Sequence, residues 1–202
     1  MRANQPDIDD IQNELATIRR AITQSRRATA RWGDAYVMWG FLIGGALAVQ
    51  WWGWVSGVAM AWIAWVVATV AGIICSYLLG RRRAKSGEVV SYASRSIKTV
   101  WSMVTLAIWM LAFVGIPTHV ISQMQIMPLI AMLLGIAGVT TGVTVESTIF
   151  KVAGWMWFVG SVISFFVPIA IQFPIFLFLI VVGEIIPGLW LWRLGRRTSD
   201  AA

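Results

Sequence analysis

Six apolar stretches run along the chain at roughly 35–53, 58–79, 99–116, 126–145, 152–170 and 174–193. Each is close to the ~20 residues that carry a helix across the hydrocarbon core. Helix is the only element that suits them. Open strands would leave backbone polar groups unpaired in lipid, and the alternation of a membrane barrel is missing. Turn residues divide the stretches. Trp51–Gly57 separates the first two, and Gly80 followed by Arg81, Arg82 and Arg83 stops the second. Pro117 follows the third, and Pro128 is expected to open the fourth. Pro168 and Pro174 are expected to bracket the turn between the fifth and sixth.

Short connections predict antiparallel neighbours, so the expected fold is all-α, a bundle of six transmembrane helices in three hairpins near 34–80, 98–145 and 150–195. This membrane domain, 34–195, follows a cytoplasmic amphipathic leader helix over 1–33 and precedes a cytoplasmic tail over 196–202. No signal peptide is expected, because residues 1–31 are polar and the first apolar run is too long.

Composition agrees with a chain solvated mostly by lipid. Hydrophobic residues make up 58% and charged residues 12%, against about a quarter charged in soluble domains. One cysteine, Cys75, excludes an intrachain disulfide or a cysteine metal site. One histidine, His119, excludes paired-histidine haem ligation. No metal site and no cofactor are expected.

Charge sets the orientation. All 16 Lys and Arg residues fall in the leader, the 80–98 segment, the 146–151 connection or the tail. Placing those regions in the cytoplasm satisfies the positive-inside rule throughout, with both termini on that side. Trp51, Trp52 and Trp54 would then edge the outer interface, and Trp32, Trp101, Trp155, Trp157, Trp190 and Trp192 the inner one.

Three patterns carry candidate contacts. In the leader, Ile8, Ile11, Leu15, Ile18 and Ile22 recur at steps of three and four, a narrow seam suited to a partner helix or a second copy of the chain. Arg81, Arg82, Arg83, Lys85, Arg95 and Lys98 face a single acid, Glu88, and suit anionic lipid head groups. No folded basic domain accompanies them, so nucleic acid is not an expected partner. Gly40 and Gly44 in the first stretch, with Ala64, Ala68, Gly72 and Ser76 in the second, form small-residue ridges expected to lock these two helices together.

Glu184 is the one charged side chain expected deep in the bilayer, about ten residues from either end of the sixth stretch. A carboxyl there costs roughly 2.5–3.5 kcal/mol on insertion scales. Pro187 has no N–H, so the carbonyl of Gly183 is expected to lose its helical donor, beside the carboxyl and at a kink. Such a pair can bind a cation or move a proton. The structural alternative is a neutral Glu184 bonded to Thr105, Thr141, Ser161 or Ser164 of a neighbouring helix. Lys98 and Ser102 can mimic a Ser–Lys dyad, but helix ends often place such pairs four apart. A solvated His119 is the plain reading of the outer loop.

The leader, the Gly33-Asp34 and Trp39-Gly40 pairs of the first stretch, and the Gly-x-Ile-Ile-x-Gly character of Gly183–Gly188 resemble a group of uncharacterised bacterial six-helix inner-membrane proteins with an amphipathic leader. Members more often carry histidine where Glu184 stands. The resemblance implies a bacterial inner-membrane setting and no particular activity.

The reading from sequence alone puts first a non-catalytic partner, assembly or regulatory component. A small proton- or cation-linked transporter or channel using Glu184, Gly183 and Pro187 is the alternative. A lipid- or quinone-linked enzyme comes last, for want of a nucleophile–base pair.

Overall fold

A computed structural model of the chain describes the backbone of residues 33–85 and 92–200, and side chains over 33–82 and 93–193. The leader seam of Ile8, Ile11, Leu15, Ile18 and Ile22 lies outside the described residues.

Every regular element among the described residues is helical. Helix α1 spans Gly33–Ser56. Gly57, at φ +71°, takes the left-handed conformation that ends it, and the Val58 N–H returns to the Gly53 carbonyl at 2.8 Å. A 3-10 turn, Ala59–Trp62, leads into α2, Ile63–Lys85. Helix α3, Tyr92–Met110, widens into a π turn at Leu111–Gly115. Helix α4, Gln123–Thr144, starts where the Ser122 N–H donates to Gln125 Oε1 at 2.9 Å. Helix α5 spans Thr148–Phe165. Helix α6, Ile169–Ile180, a second π turn, Val181–Ile185, and α7, Ile186–Asp200, follow one another without a break.

Six of the resulting segments are long and apolar enough to cross a membrane: Gly33–Ser56, Ala59–Arg82, Ala93–Gly115, Gln123–Thr144, Thr148–Phe165 and Ile169–Arg193. The protein is an all-α membrane bundle. Two proline expectations need correction. Pro128 and Pro174 lie inside helices rather than at their borders, each the sixth residue of its helix. Pro128 withholds the N–H that would reach the Met124 carbonyl, which accepts from Gln172 Nε2 at 3.2 Å instead. Pro168 is the N-cap that starts the sixth span five residues earlier than the sequence pattern places it.

Packing is closest between α4 and α5. A Cβ on Gly138 would stand 2.9 Å from the Gly154 Cα, so the two backbones touch. Helix α1 runs antiparallel to the sixth span along a second glycine seam. A Cβ on Gly33 would meet the Gly188 carbonyl at 2.6 Å, and one on Gly40 would meet Ile185 Cγ1 at 2.7 Å and Glu184 Cβ at 3.4 Å. One on Gly44 would stand 3.5 Å from Ile180 Cγ2. Gly40 and Gly44 therefore serve the sixth span, not the second as the spacing suggested. Helix α2 meets α1 by another route: the Trp39 indole covers Gly72 and donates Nε1–H to Ser76 Oγ at 3.1 Å, with Ala68 buried one turn away and Ala64 half-buried. Helix α3 packs on α4. The centre is thus α1, α4, α5 and the sixth span, with α2 and α3 on its flanks.

The described Lys and Arg positions, from Arg81 to Lys98 and at Lys151 and Arg193, collect at one end of the bundle, called the basic end below.

Candidate functional site

The sixth span places Glu184 by an irregularity of its backbone. Within Val181–Ile185 the ladder shifts from four residues to five, and the Ile186 N–H donates to the Val181 carbonyl. Pro187 follows and has no N–H. The Val182 carbonyl therefore has no helical donor, because Ile186 has spent its N–H one residue earlier. The same sequence step explains the other π turn, where the Ile116 N–H reaches the Leu111 carbonyl at 3.1 Å and Pro117 follows. An Ile-Pro pair closes both turns. The proline ring crowds the carbonyl four residues back, and the ladder slips by one residue to make room. The helix is widened where a kink was expected, and the Val182 carbonyl, beside Gly183, is also without its helical donor.

The sixth span runs Ile169–Arg193, so Glu184 lies fifteen residues from one end and nine from the other. At ~1.5 Å per residue that is about 22 Å and 13 Å. Glu184 therefore stands within about 5 Å of the middle of the span, on the side of the basic end.

Around it, three sets of side chains meet. Glu184 Cβ faces Gly40 of α1. Towards the basic end, Tyr36 of α1 is buried and packs against Gly188, one turn on from Glu184, where an added Cβ would stand 2.9 Å from Tyr36 Cβ. Its hydroxyl donates to Thr141 Oγ1 of α4 at 3.2 Å, and Trp101 Nε1–H of α3 reaches the Tyr36 hydroxyl at 2.9 Å and Thr141 Oγ1 at 3.1 Å. The Tyr36 ring stands edge-on to Trp101 and Phe150, with centroids 5.3 and 4.8 Å away. Three helices thus meet at one hydroxyl, and Phe150 of α5 closes on its ring.

On the other side of the π turn, Trp157 of α5 is 1% exposed, and its Nε1 packs against Gly183. That N–H has no acceptor among the described residues. Trp157 is buried in the core rather than at an interface, while the half-exposed Trp101 turns its Nε1–H to the Tyr36 hydroxyl. Trp52, Trp54 and Trp155 do stay exposed.

The four hydroxyls named as partners for Glu184 are engaged elsewhere or stand alone. Thr105 bonds its own helix at the Trp101 carbonyl, and Ser161 bonds the Pro128 carbonyl. Thr141 belongs to the Tyr36 cluster, and buried Ser164 Oγ has no partner among the described residues. Among the described residues no hydrogen bond reaches the Glu184 carboxyl, and the side chain is half-buried. Ser102 donates to the Lys98 carbonyl at 2.7 Å, an ordinary intrahelical bond. His119 is exposed in the turn after α3.

Arg81 and Arg82 are exposed at the end of α2, with the Arg81 guanidinium 5.8 Å from the Tyr77 ring centroid. Arg95 and Lys98 are exposed on the first turns of α3. Arg83 and Lys85 end α2, and their side chains lie outside the described residues. Sequence reasoning missed Tyr36 and the inward turn of Trp101. The available signal was Tyr36 on the same helical face as Gly33, Gly40 and Gly44, all of which meet other helices.

The fold and site define a class: a multi-pass membrane bundle with one carboxyl on a widened turn of its last span. Comparison with protein-family models, curated proteins and solved structures gives no match to this chain.

Proposed function

We propose that the protein is a small proton- or cation-linked transporter or channel of a bacterial inner membrane, with Glu184 as the group that exchanges the ion. The observation that supports it is the carboxyl's isolation. Glu184 has no hydrogen-bond partner among the described residues, and it sits on a π turn beside a carbonyl without a donor. A carboxyl held only for structure would be bonded to a neighbouring helix. Carboxyl and unpaired carbonyl oxygens together are the donor set that broken membrane helices offer to a proton or small cation. The grouping of basic residues at one end favours both termini in the cytoplasm, with anionic lipid head groups against Arg81, Arg82, Arg95 and Lys98.

The test is flux in sealed proteoliposomes. Glu184→Gln keeps the shape of the side chain and removes its charge. It should abolish proton- or cation-driven flux while leaving the thermal unfolding midpoint in detergent unchanged. Equal flux in both proteins sinks the reading.

A second reading is favoured by the leader stripe Ile8, Ile11, Leu15, Ile18 and Ile22: a regulatory or assembly component that docks through this seam. Removing residues 1–31 should then reduce the particle size in mild detergent. An unchanged size removes self-association through the leader.

A further inference from the structure

Helices α2 and α3 flank α1 without closing on each other. The second and third spans are 11% buried, against 39% for the fourth, fifth and sixth. Among the described residues, α2 packs on α1 and α3 on α4. Both nonetheless reach one turn of α1. Trp39 donates Nε1–H to Ser76 Oγ of α2 at 3.1 Å, and the Tyr36 hydroxyl, three residues earlier, accepts from Trp101 Nε1 of α3 at 2.9 Å. A cleft therefore runs between α2 and α3, with Trp39 and Trp101, both half-buried, at its floor.

The cleft opens towards the basic end. Gly72 of α2 lies under the Trp39 indole, whereas a Cβ on Gly80, one turn on from Ser76, would meet nothing within 4 Å. Cations border that open space. Arg81 and Arg82 follow Gly80, and Lys98 precedes Trp101 by three residues, which places it on the same face of α3. Arg81 is five residues beyond Ser76, and Arg95 is six before Trp101. At ~1.5 Å per residue the two sets stand about 8 and 9 Å beyond the indoles, at one height. Arg81, Arg82, Arg95 and Lys98 are all exposed. Among the described residues no acid pairs with them, and the Arg81 guanidinium lies against the Tyr77 ring.

We infer that the cleft holds one anionic phospholipid, its phosphate between the Arg81–Arg82 end of α2 and Lys98 of α3, and an acyl chain against Trp101 and Trp39. The inference deepens the reading of anionic head groups at the basic end and does not use Glu184. Charge selects the occupant. A second copy of the chain would bring the same cations to the cleft and repel them. A zwitterionic lipid would carry its own cation to the same place. The lining has two parts, cationic at the end and apolar below, with indoles between, and this is the order of a lipid from head group to chain.

Native mass spectrometry of the full chain in mild detergent reads the retained lipid. Phosphatidylglycerol and phosphatidylethanolamine of equal chain length are added together. One phosphatidylglycerol per chain should be retained, several-fold over phosphatidylethanolamine. Arg82→Gln combined with Lys98→Gln should lower that retention several-fold. Lys151→Gln combined with Arg193→Gln, which removes as much charge from the basic ends of α5 and the sixth span, should not. Gly80→Leu keeps every cation and fills the open space. It should lower retention as well, with an unfolding midpoint no lower than that of the wild type. Equal retention of the two lipids overturns the inference. A loss in the Lys151 and Arg193 pair that matches the Arg82 and Lys98 pair also does, since it would mean general attraction to a basic surface. Full retention in Gly80→Leu overturns it too, and a lipid-free dimer would put a second copy in the cleft instead. Glu184→Gln should retain lipid as the wild type does, so the two readings fail separately. Lost selectivity with flux intact sinks the cleft alone, and selective retention without flux sinks the transporter alone.

Discussion

Two π turns share a sequence signature and differ in everything around them. In the third span, Leu111–Gly115 is closed by Ile116-Pro117. In the sixth, Val181–Ile185 is closed by Ile186-Pro187. The first is the end of a helix. Thr118 N–H returns to the Val114 carbonyl at 3.1 Å, Ile121 N–H to Gly115 at 3.0 Å, and the chain leaves the span. The second lies mid-span. Helix α7 continues beyond it, and the lost donor is left inside the bundle beside a carboxyl. Aligning the turns on their prolines sets Thr118 against Gly188. The third span keeps a hydroxyl there, which bonds the Val114 carbonyl at 2.6 Å. The sixth cannot, because a Cβ on Gly188 would meet Tyr36 Cβ at 2.9 Å and Val37 N at 3.0 Å. One backbone device therefore serves as a stop where water is near and as a site where neighbours press in from two sides.

Glycine separates the two most sharply. A Cβ on Gly183 would collide with Trp157 Nε1, in a ring that is 1% exposed and held by Phe176 at 5.5 Å between centroids. Nothing there can yield without shifting a helix. A Cβ on Gly115 would meet the tip of Ile121 at 2.6 Å, a methyl group on a side chain that can rotate away. Gly183→Ala should cost about 2–3 kcal/mol, at the upper end of overpacking penalties, and Gly115→Ala under about 1 kcal/mol. Unfolding of both variants in one detergent measures the difference. Equal losses would mean that the sixth-span turn is no more tightly held than a helix end.

That contrast also marks what the residues disclose by themselves. The helical spans follow from hydrophobic runs, because lipid admits few alternatives for a backbone. The clustering of Lys and Arg at one end follows from the same runs. Glu184 stands out as an acid in an apolar segment. Other features depend on relations between spans. The four-residue spacing of Gly40 and Gly44 predicts a close contact but names no partner, and the sixth span takes the place expected for the second. Trp157 has the composition of an interface residue and the position of a core residue, a distinction made only by helix rotation. Tyr36 shares a helical face with Gly33, Gly40 and Gly44, but its bonding shows only once Thr141 and Trp101 are brought to it from 105 and 65 residues away. The π turns were half legible. Proline announces a missing donor, but whether the helix kinks, ends or widens is decided by what packs on either side.

The hydroxyl at Thr118 gives the smallest and most diagnostic test of the comparison. Its Oγ1 reaches the Val114 carbonyl at 2.6 Å and the Gly115 carbonyl at 3.3 Å, at an exposed position. Thr118→Val preserves the β-branched shape and removes the donor. Water at the end of the span can replace that bond, so the loss should be about 0.5 kcal/mol, the low end for a single hydrogen bond. The midpoint of chemical unfolding in detergent resolves a change of this size when measured beside Gly115→Ala. A loss of 2 kcal/mol or more, roughly that expected of an unreplaced buried bond, would mean that water does not reach these carbonyls. The third-span turn would then be as enclosed as the sixth, and the distinction between a stop and a site would have to rest on Glu184 alone.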